Sequence, residues 1–139
     1  MWWKLGRLPT IEIVFVERDP HVRVLATQFL VDAGHRVHLA LDGHEAIEKI
    51  RSHKPDLVLC EILVPKLDGL ALCRQVKANP ETRHILVLVL SMLAANARAI
   101  EAGADGFLLK PLSQHRLIAM VQDLVAKRSP HSVTNQERS

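Results

Sequence analysis

Short continuous runs of apolar residues alternate along the chain with longer amphipathic segments. The first run, at residues 11–16, is rich in β-branched residues and predicts a strand. Asp19 and Pro20 then supply a helix N-cap and a first helical residue, and apolar residues recur at helical spacing up to Gly34. The pattern therefore predicts a strand, a charged turn and an amphipathic helix.

The same unit then repeats. Residues 37–40 predict a short second strand, and Asp42 and Glu45 behind it have the spacing of a capping box at the start of a helix. The next strand, at residues 56–61, is largely apolar and ends on the carboxylate of Glu61. We therefore expect a buried strand with an acidic side chain at its carboxyl end.

The second half of the chain completes the alternation. Residues 85–90 are apolar on both faces, as expected of a strand in the centre of a parallel sheet. An alanine-rich helix, a short strand at residues 107–109 and a helix with regularly spaced apolar residues follow. Residues 129–139 are polar and aperiodic, which predicts a disordered tail.

Five strands that alternate with five helices predict an α/β fold, a single three-layer α/β/α domain around a parallel sheet. The length of 139 residues, 48% of them hydrophobic, suits one domain and is too short for two ordinary ones. In such folds ligands bind beyond the carboxyl ends of the strands. The polar residues expected at these ends are Glu17, Arg18, Asp19, Glu61, Ser91 and Lys110.

Composition narrows the class of protein. Lys and Arg number 18 against 15 Asp and Glu, and much of the excess lies in the end segments, which argues against direct nucleic-acid binding. Cys60 and Cys73 fall in apolar strand and helix patterns, so we expect small core residues in a reducing compartment. Charges interrupt every apolar run before it reaches membrane-spanning length, so we expect a cytoplasmic protein without membrane contact.

Several motifs in a fixed order carry a resemblance to a known family. They are the turn at residues 16–20, the strand and loop at residues 55–69, Leu90-Ser91, and the segment Gly-Ala-Asp-Gly-Phe-Leu-Leu-Lys-Pro at residues 103–111. Together they resemble the receiver domain of two-component response regulators over roughly residues 11–127. The resemblance implies a flavodoxin-like five-stranded sheet of order 2-1-3-4-5 and a cis peptide before Pro111. We divide the chain into an N-terminal extension (1–10), a receiver domain (11–128) and the tail (129–139).

In that family an aspartate at the end of the third strand takes a phosphoryl group from a histidine kinase. Two acidic residues after the first strand help to hold Mg²⁺, and a hydroxyl and a lysine complete the site. The resemblance therefore puts Glu61 at the phosphoacceptor position, Glu17 and Arg18 at the acidic pair, Ser91 at the hydroxyl position and Lys110 at the lysine position.

Two further positions are assigned through the resemblance. Phe107 falls at the position of the family's aromatic switch residue, for which a purely packing role stays open. Asp19 completes the acidic stretch after the first strand and is expected to cap the helix rather than bind a metal. The eight His residues show no ligand spacing, which favours scattered surface positions over a metal site.

Two of these positions depart from the family. Glu61 places its carboxylate about 1.5 Å further out than an aspartate, which is enough to spoil the geometry of attack. Arg18 has no acceptor lone pair and keeps its positive charge, so it cannot bind Mg²⁺. We expect a degenerate receiver with no cofactor, lost or weak Mg²⁺ binding, and an ion pair of Glu61 with Lys110 or Arg18. The sequence leaves open whether the Arg18 side chain faces inward or faces solvent.

The function expected from the sequence is phosphorelay signalling by protein–protein contact, without enzymatic activity or Asp phosphorylation. The expected partner is a histidine kinase or another signalling protein. In one alternative Glu61 still accepts a phosphoryl group. In another the chain is a flavodoxin-like redox or nucleotide-binding protein. Two observations argue against it: the turn after the first strand has no Gly, and aromatic residues make up only 4% of the chain.

The segment between Ser91 and Lys110 is shorter than is typical of the family. We therefore expect a short or displaced fourth helix. Residues 92–97 carry little charge, which favours a homodimer face formed by the fourth helix, the fifth strand and the fifth helix. Whether the chain stands alone or belongs to a larger regulator stays open.

Overall fold

The computed structural model describes the backbone of residues 9–138 and the side chains of residues 9–128. Apart from residues 9 and 10, the predicted N-terminal extension lies outside the described residues. The strands are β1 Glu12–Val16, β2 Arg36–Ala40, β3 Leu57–Glu61, β4 Leu86–Ser91 and β5 Gly106–Leu109. The helices are α1 Pro20–Asp32, α2 Gly43–His53, α3 Gly69–Ala78, α4 Asn96–Glu101 and α5 Gln114–Arg138.

All five strands are parallel and lie in the order β2-β1-β3-β4-β5, which confirms the predicted flavodoxin-like topology. Every residue of β3 and β4 is buried because helices cover both faces of the sheet. The carboxyl ends of β1, β3, β4 and β5 therefore meet at one edge, where the candidate site was expected.

Alternating residues of the central strands pack into two apolar cores, one on each face of the sheet. Val14, Val58 and Val87 point into the core under α2, α3 and α4. Phe15 and Leu59 point into the opposite core, under α1 and α5. Because successive side chains of a strand point to opposite faces, the continuous apolar runs that predicted the strands supply both cores.

Cys60 and Cys73 are both buried free thiols, as predicted. Burial raises the pKa of the Cys60 thiol well above its ordinary value and raises that of Cys73 to about 11. Both therefore stay protonated at neutral pH and serve as small apolar side chains.

Aspartate side chains cap three of the helices, α1, α2 and α3, with Asp68 as the cap of α3. Asp19 accepts a hydrogen bond from the His21 amide at 2.9 Å and caps α1, as predicted. Asp42 accepts from the Glu45 amide at 2.8 Å and caps α2. Each cap satisfies one of the free amides in the first helical turn and so fixes where its loop ends.

The last two helices, α4 and α5, are the shortest and the longest of the helices that the structure describes. α4 has only six residues and no side-chain cap, which confirms the predicted short fourth helix. The backbone of residues 129–138 continues α5, where the polar sequence predicts a disordered tail. An existing helix extends without a new nucleus, so a sequence with weak periodicity can follow it. Within residues 9–138, no helix combines the length and the apolar character that crossing a bilayer requires.

Candidate functional site

Four strand ends bring polar side chains together at the carboxyl edge of the sheet. Glu17 follows β1, Glu61 and Ser91 end β3 and β4, and Lys110 follows β5. Glu17, Glu61 and Ser91 are 1%, 5% and 0% exposed, and the side chain of Lys110 is 9% exposed. Charged groups this far from water require close partners.

The ammonium group of Lys110 supplies that partner for both carboxylates. Its Nζ lies 2.8 Å from Glu17 Oε1 and 2.7 Å from Glu61 Oε1. Of the two pairings considered for Glu61, the structure therefore contains the one with Lys110. The second bond, to Glu17, was not predicted, because the sequence does not say how far each carboxylate reaches.

Backbone amides hold the remaining carboxylate oxygens. The Asp19 amide donates to Glu17 Oε2 at 3.0 Å, and the Leu63 amide donates to Glu61 Oε2 at 3.0 Å. Both oxygens of each carboxylate thus accept a hydrogen bond, which fixes the side chains against rotation.

Ser91 belongs to the same edge but not to the ion pairs. Its Oγ accepts a hydrogen bond from the Leu93 amide at 3.2 Å, and its carbonyl accepts from the Lys110 amide at 2.9 Å. The first bond shapes the turn after β4, and the second ties the base of the Lys110 loop to β4. Ser91 therefore acts structurally in this arrangement.

The electrostatics of the cluster favour a charged lysine. Burial alone lowers the pKa of Lys110, but the hydrogen bonds to Glu17 and Glu61 outweigh it and raise the pKa above its usual value. The His21 amide holds the pKa of Asp19 below its ordinary range, and the charge of Lys110 adds to this effect. One ammonium faces two buried carboxylates, so the cluster carries a surplus negative charge.

Arg18 stays outside this cluster. The residue is exposed, and its carbonyl accepts a hydrogen bond from the Arg23 guanidinium at 3.2 Å. Of the two orientations left open, the structure thus has the solvent-facing one. Phe107 is half-buried and packs against the apolar core under α2, α3 and α4, and the Lys110-Pro111 peptide is cis, as the resemblance implies.

Mg²⁺ prefers six oxygen ligands in octahedral geometry. The Oε1 atoms of Glu17 and Glu61 accept from Lys110, and Arg18 offers no oxygen in its side chain. Within the part of the chain that the structure describes, no three His, Cys, Asp or Glu side chains form a group able to hold a metal. The residues as arranged do not fit the ion.

Two loops beside the site interlock in a way that the sequence analysis missed. The Gly43 amide donates to the Pro65 carbonyl at 3.2 Å, and a Cβ at residue 43 would overlap the Leu67 carbonyl. Lys66, at φ +71°, reaches Asp42 across the same gap at 3.5 Å. A glycine directly behind a helix-capping aspartate was the available signal for this close approach.

Comparisons with known proteins identify the family to which this fold belongs. Residues 13–122 match the family model of the response regulator receiver domain. The response regulator MprA of Mycolicibacterium vanbaalenii is 35% identical over 121 residues, which cover 86% of this chain and 52% of that protein. The chain thus spans about half the length of the curated relatives it matches.

Solved structures give the same result. A response regulator from Chloroflexus aurantiacus has a TM-score of 0.81 and 30% identity, covering 85% of this chain and 99% of its own. The receiver domain of a sensor histidine kinase from Pseudomonas aeruginosa has a TM-score of 0.77 and 25% identity over 85% of this chain and 99% of its own. That second structure holds a magnesium ion in its active-site cleft.

Proposed function

The chain belongs to the response regulator receiver domain family, and on this basis we propose that it is a degenerate receiver, which signals by protein–protein contact without Asp phosphorylation. Receiver domains interact with histidine kinases and other signalling proteins. Family membership leaves the flavodoxin-like redox or nucleotide-binding alternative without support.

The observation that carries the proposal is the position of Lys110 between Glu17 and Glu61, at 2.8 and 2.7 Å. An attacking carboxylate needs an oxygen in line with the phosphorus atom. Each Glu61 oxygen accepts one hydrogen bond and keeps a second lone pair, so the contacts fix the side chain without using up its acceptors. Moving the longer glutamate side chain into line would break its ion pair with Lys110, which costs several kcal/mol in a site this buried. We propose that this constraint opposes phosphorylation.

Arg18 opposes the binding of Mg²⁺, which phosphorylation also needs. Phosphoryl transfer to a carboxylate needs a cation on the phosphoryl oxygens, and the second acidic residue that would help to hold it is missing. The guanidinium faces solvent, and its positive charge gives this edge a weaker attraction for a divalent cation than an acidic residue would. We therefore propose that Mg²⁺ binding is lost or weak and that the protein has no enzymatic activity.

The proposed working state is a fixed one. Lys110 ties the ends of β1, β3 and β5 together through side chains alone, so the conformation of this edge does not depend on a phosphoryl group. A partner would then recognise the protein by its presence and concentration, and not by its phosphorylation state.

Phosphorylation is tested by incubating the protein with acetyl phosphate and Mg²⁺ and measuring intact mass. The wild type is expected to gain no phosphoryl group. The double variant Arg18→Asp/Glu61→Asp is expected to gain one, because it supplies the shorter nucleophile and the second acid. Arg18→Asn/Glu61→Asp is the matched control, since it removes the cation without adding a carboxylate. A phosphoryl group on Glu61 of the wild type would overturn the proposal and establish the alternative.

Metal binding is tested separately by calorimetric titration with Mg²⁺. Replacing Arg18 by Asp changes a repelling charge into an attracting one, and we expect about tenfold tighter binding or more. Arg18→Asn again separates removal of the cation from addition of the acid. Wild-type binding as tight as that of Arg18→Asp would contradict the proposed loss.

The face formed by α4, β5 and α5 is the proposed site of self-association. Ile100 of α4 and Leu109 of β5 are 65% and 41% exposed, and Met92 in the loop before α4 is 76% exposed. Large apolar side chains exposed in this part of the molecule favour an interaction surface. Sedimentation velocity should show a dimer that Ile100→Lys dissociates, and a strict monomer would refute the idea. The cytoplasmic location and the absence of nucleic-acid or membrane contacts stay predictions.

A further inference from the structure

His35 lies between α1 and β2 at the amino edge of the sheet, opposite the Lys110 cluster. Its amide donates to the Leu30 carbonyl at 3.1 Å and so closes the end of α1. Its imidazole Nδ1 accepts a hydrogen bond from the Ile11 amide at 3.2 Å, directly before β1. The side chain is buried, so this bond is largely shielded from water. One residue therefore ties the entry of the chain into β1 to the end of α1.

Other contacts of the segment before β1 converge on the same turn, from α1 to β2. Thr10 is exposed, and its Cγ2 lies 3.1 Å from the place that a Cβ on Gly34 would occupy. The Arg36 amide donates to the Ile11 carbonyl at 3.0 Å. Among these contacts, His35 supplies the bond that protonation can break.

The chemistry of imidazole makes this bond depend on pH. In a neutral ring one nitrogen accepts and the other carries the proton, so the acceptor role of Nδ1 places the proton of His35 on Nε2. The charged ring carries a proton on both nitrogens, and Nδ1–H would then face the N–H of Ile11, donor against donor. A charged His35 and the bond from Ile11 therefore exclude each other, and the charged ring gains solvation only by leaving its buried position.

No opposite charge holds the ring in place. Burial alone lowers the pKa of His35 below its ordinary 6.5. Across residues 9–128, no carboxylate lies within 4.0 Å of its ring nitrogens. The charged side chains of the neighbouring elements contact other residues: Asp32 contacts Gln28 on α1, Glu12 of β1 contacts Arg36 and His38 of β2, Asp56 before β3 contacts Arg128 of α5, and Asp123 contacts Lys127 on α5.

We propose that His35 is a pH-sensitive clamp, in which the neutral imidazole fixes the segment before β1 and protonation releases this segment while the sheet stays folded. The release is local because β1 pairs with β2 from Glu12 onward and with β3 from Ile13 onward, without His35. The released state takes up a proton near the ordinary 6.5 and the clamped state only at lower pH. The released fraction therefore rises as pH falls from 6.5 towards the lowered pKa. The clamp is independent of the Lys110 cluster and of the proposed signalling role.

The test follows the Ile11 amide of the whole chain by ¹H–¹⁵N NMR hydrogen exchange, with each rate compared with the intrinsic rate at the same pH. Between about pH 7.5 and about pH 5, the protection of Ile11 should fall about tenfold or more, since one buried hydrogen bond is lost. The amides of Leu59 in β3 and Leu88 in β4 should keep their protection, which separates local release from global unfolding. Unchanged protection of Ile11, or a loss in step with Leu59 and Leu88, would overturn the proposal.

Three variants assign the response to His35. His35→Gln has a side-chain acceptor and takes up no proton, so its Ile11 protection should not respond to pH, whichever level it has. His35→Leu has no acceptor and should leave Ile11 unprotected at both pH values; if this variant does not fold, His35→Gln alone decides. His84 is exposed, and the matched control His84→Gln should respond as the wild type does. A wild-type response in His35→Gln, wild-type protection in folded His35→Leu, or a lost response in His84→Gln would each overturn the clamp.

Discussion

Lys110 and Lys77 each hold several acceptors at an end of the sheet, but at opposite edges. Lys110 bonds two carboxylates beyond the carboxyl end of β5. Lys77 bonds Asp105 Oδ2 at 2.8 Å and the carbonyls of Ile85 and Arg83 at 2.7 and 3.2 Å, near the amino ends of β4 and β5.

The two clusters differ in charge and in contact with water. The Lys77 cluster pairs one cation with one carboxylate, and its side chains are 20% and 31% exposed. The Lys110 cluster sets one cation against two carboxylates with almost no exposure. A partly exposed ion pair with one positive and one negative charge is an ordinary means of anchoring a loop. A buried cluster with surplus charge is costly, and such clusters concentrate at functional sites.

The largest effect that separates the two lysines should come from removing each cation. Lys110→Met leaves two buried carboxylates face to face, and we expect a loss of about 3–5 kcal/mol in the free energy of unfolding. Urea denaturation provides the measurement. Glu17→Gln/Glu61→Gln/Lys110→Met, which removes all three charges, should recover much of the loss. A Lys110→Met variant no less stable than Lys77→Met would erase the contrast.

Alkaline pH should remove the same charge without a mutation. The pKa of Lys110 is raised above its ordinary 10.5, so its folded state holds the proton more tightly than the unfolded state does. This contribution is complete below 10.5 and is lost as pH rises through the raised pKa. Unfolding free energies of wild type and Lys110→Met, compared across this range, should converge. Curves that stay parallel would contradict the assignment.

Lys77→Met should have a smaller effect. Asp105 loses its cation but is partly exposed, so water replaces the lost bond, and we expect a loss of about 1 kcal/mol. Urea denaturation under the conditions used for Lys110→Met makes the two values comparable. A loss above that of Lys110→Met would reverse the roles assigned to the two edges.

Salt should give the smallest difference. Raising NaCl from low to molar concentration screens exposed pairs more than buried ones. Double-mutant cycles should therefore show the Lys77–Asp105 coupling falling by a few tenths of a kcal/mol while the Lys110–Glu61 coupling changes less. An equal response of the two couplings would mean that water reaches both pairs equally.

The buried side chain of His35, away from both lysine clusters, leads to a prediction about stability in acid. His35 is buried, and its Nδ1 accepts a hydrogen bond from the Ile11 amide at 3.2 Å. Burial lowers the pKa of His35 below its ordinary 6.5, so the unfolded chain takes up a proton first. Stability is therefore lost as pH falls below 6.5 towards the lowered pKa, and His35→Gln should flatten this part of the unfolding curve.

Much of the fold was predictable from residue patterns alone. Short continuous apolar runs predict the strands and apolar residues at helical spacing predict the helices, and the capping residues Asp19 and Asp42 mark where helices begin. The family resemblance supplied the strand order, which then brought Glu17, Glu61 and Lys110 to one edge. These predictions depend on backbone pattern, which the sequence encodes locally.

The partners within the site were less predictable. Which carboxylates Lys110 contacts depends on rotamers and on distances across three strands, and neither is encoded locally. The contact between Gly43 and the Leu67 carbonyl was not predictable either, because it joins two loops that are separated in the chain. The continuation of α5 over residues 129–138 was missed because it follows from helix propagation and not from periodicity.

The missing side chain at Gly43 has a mechanical consequence. Because the Leu67 carbonyl fills the space that a methyl group would need, the loops after β2 and β3 are in direct contact at Gly43. Any side chain at position 43 would have to push residues 62–68 away from the start of α2. Since residue 62 directly follows Glu61, a substitution at position 43 would disturb the tip of β3 through the backbone, without changing any charged group.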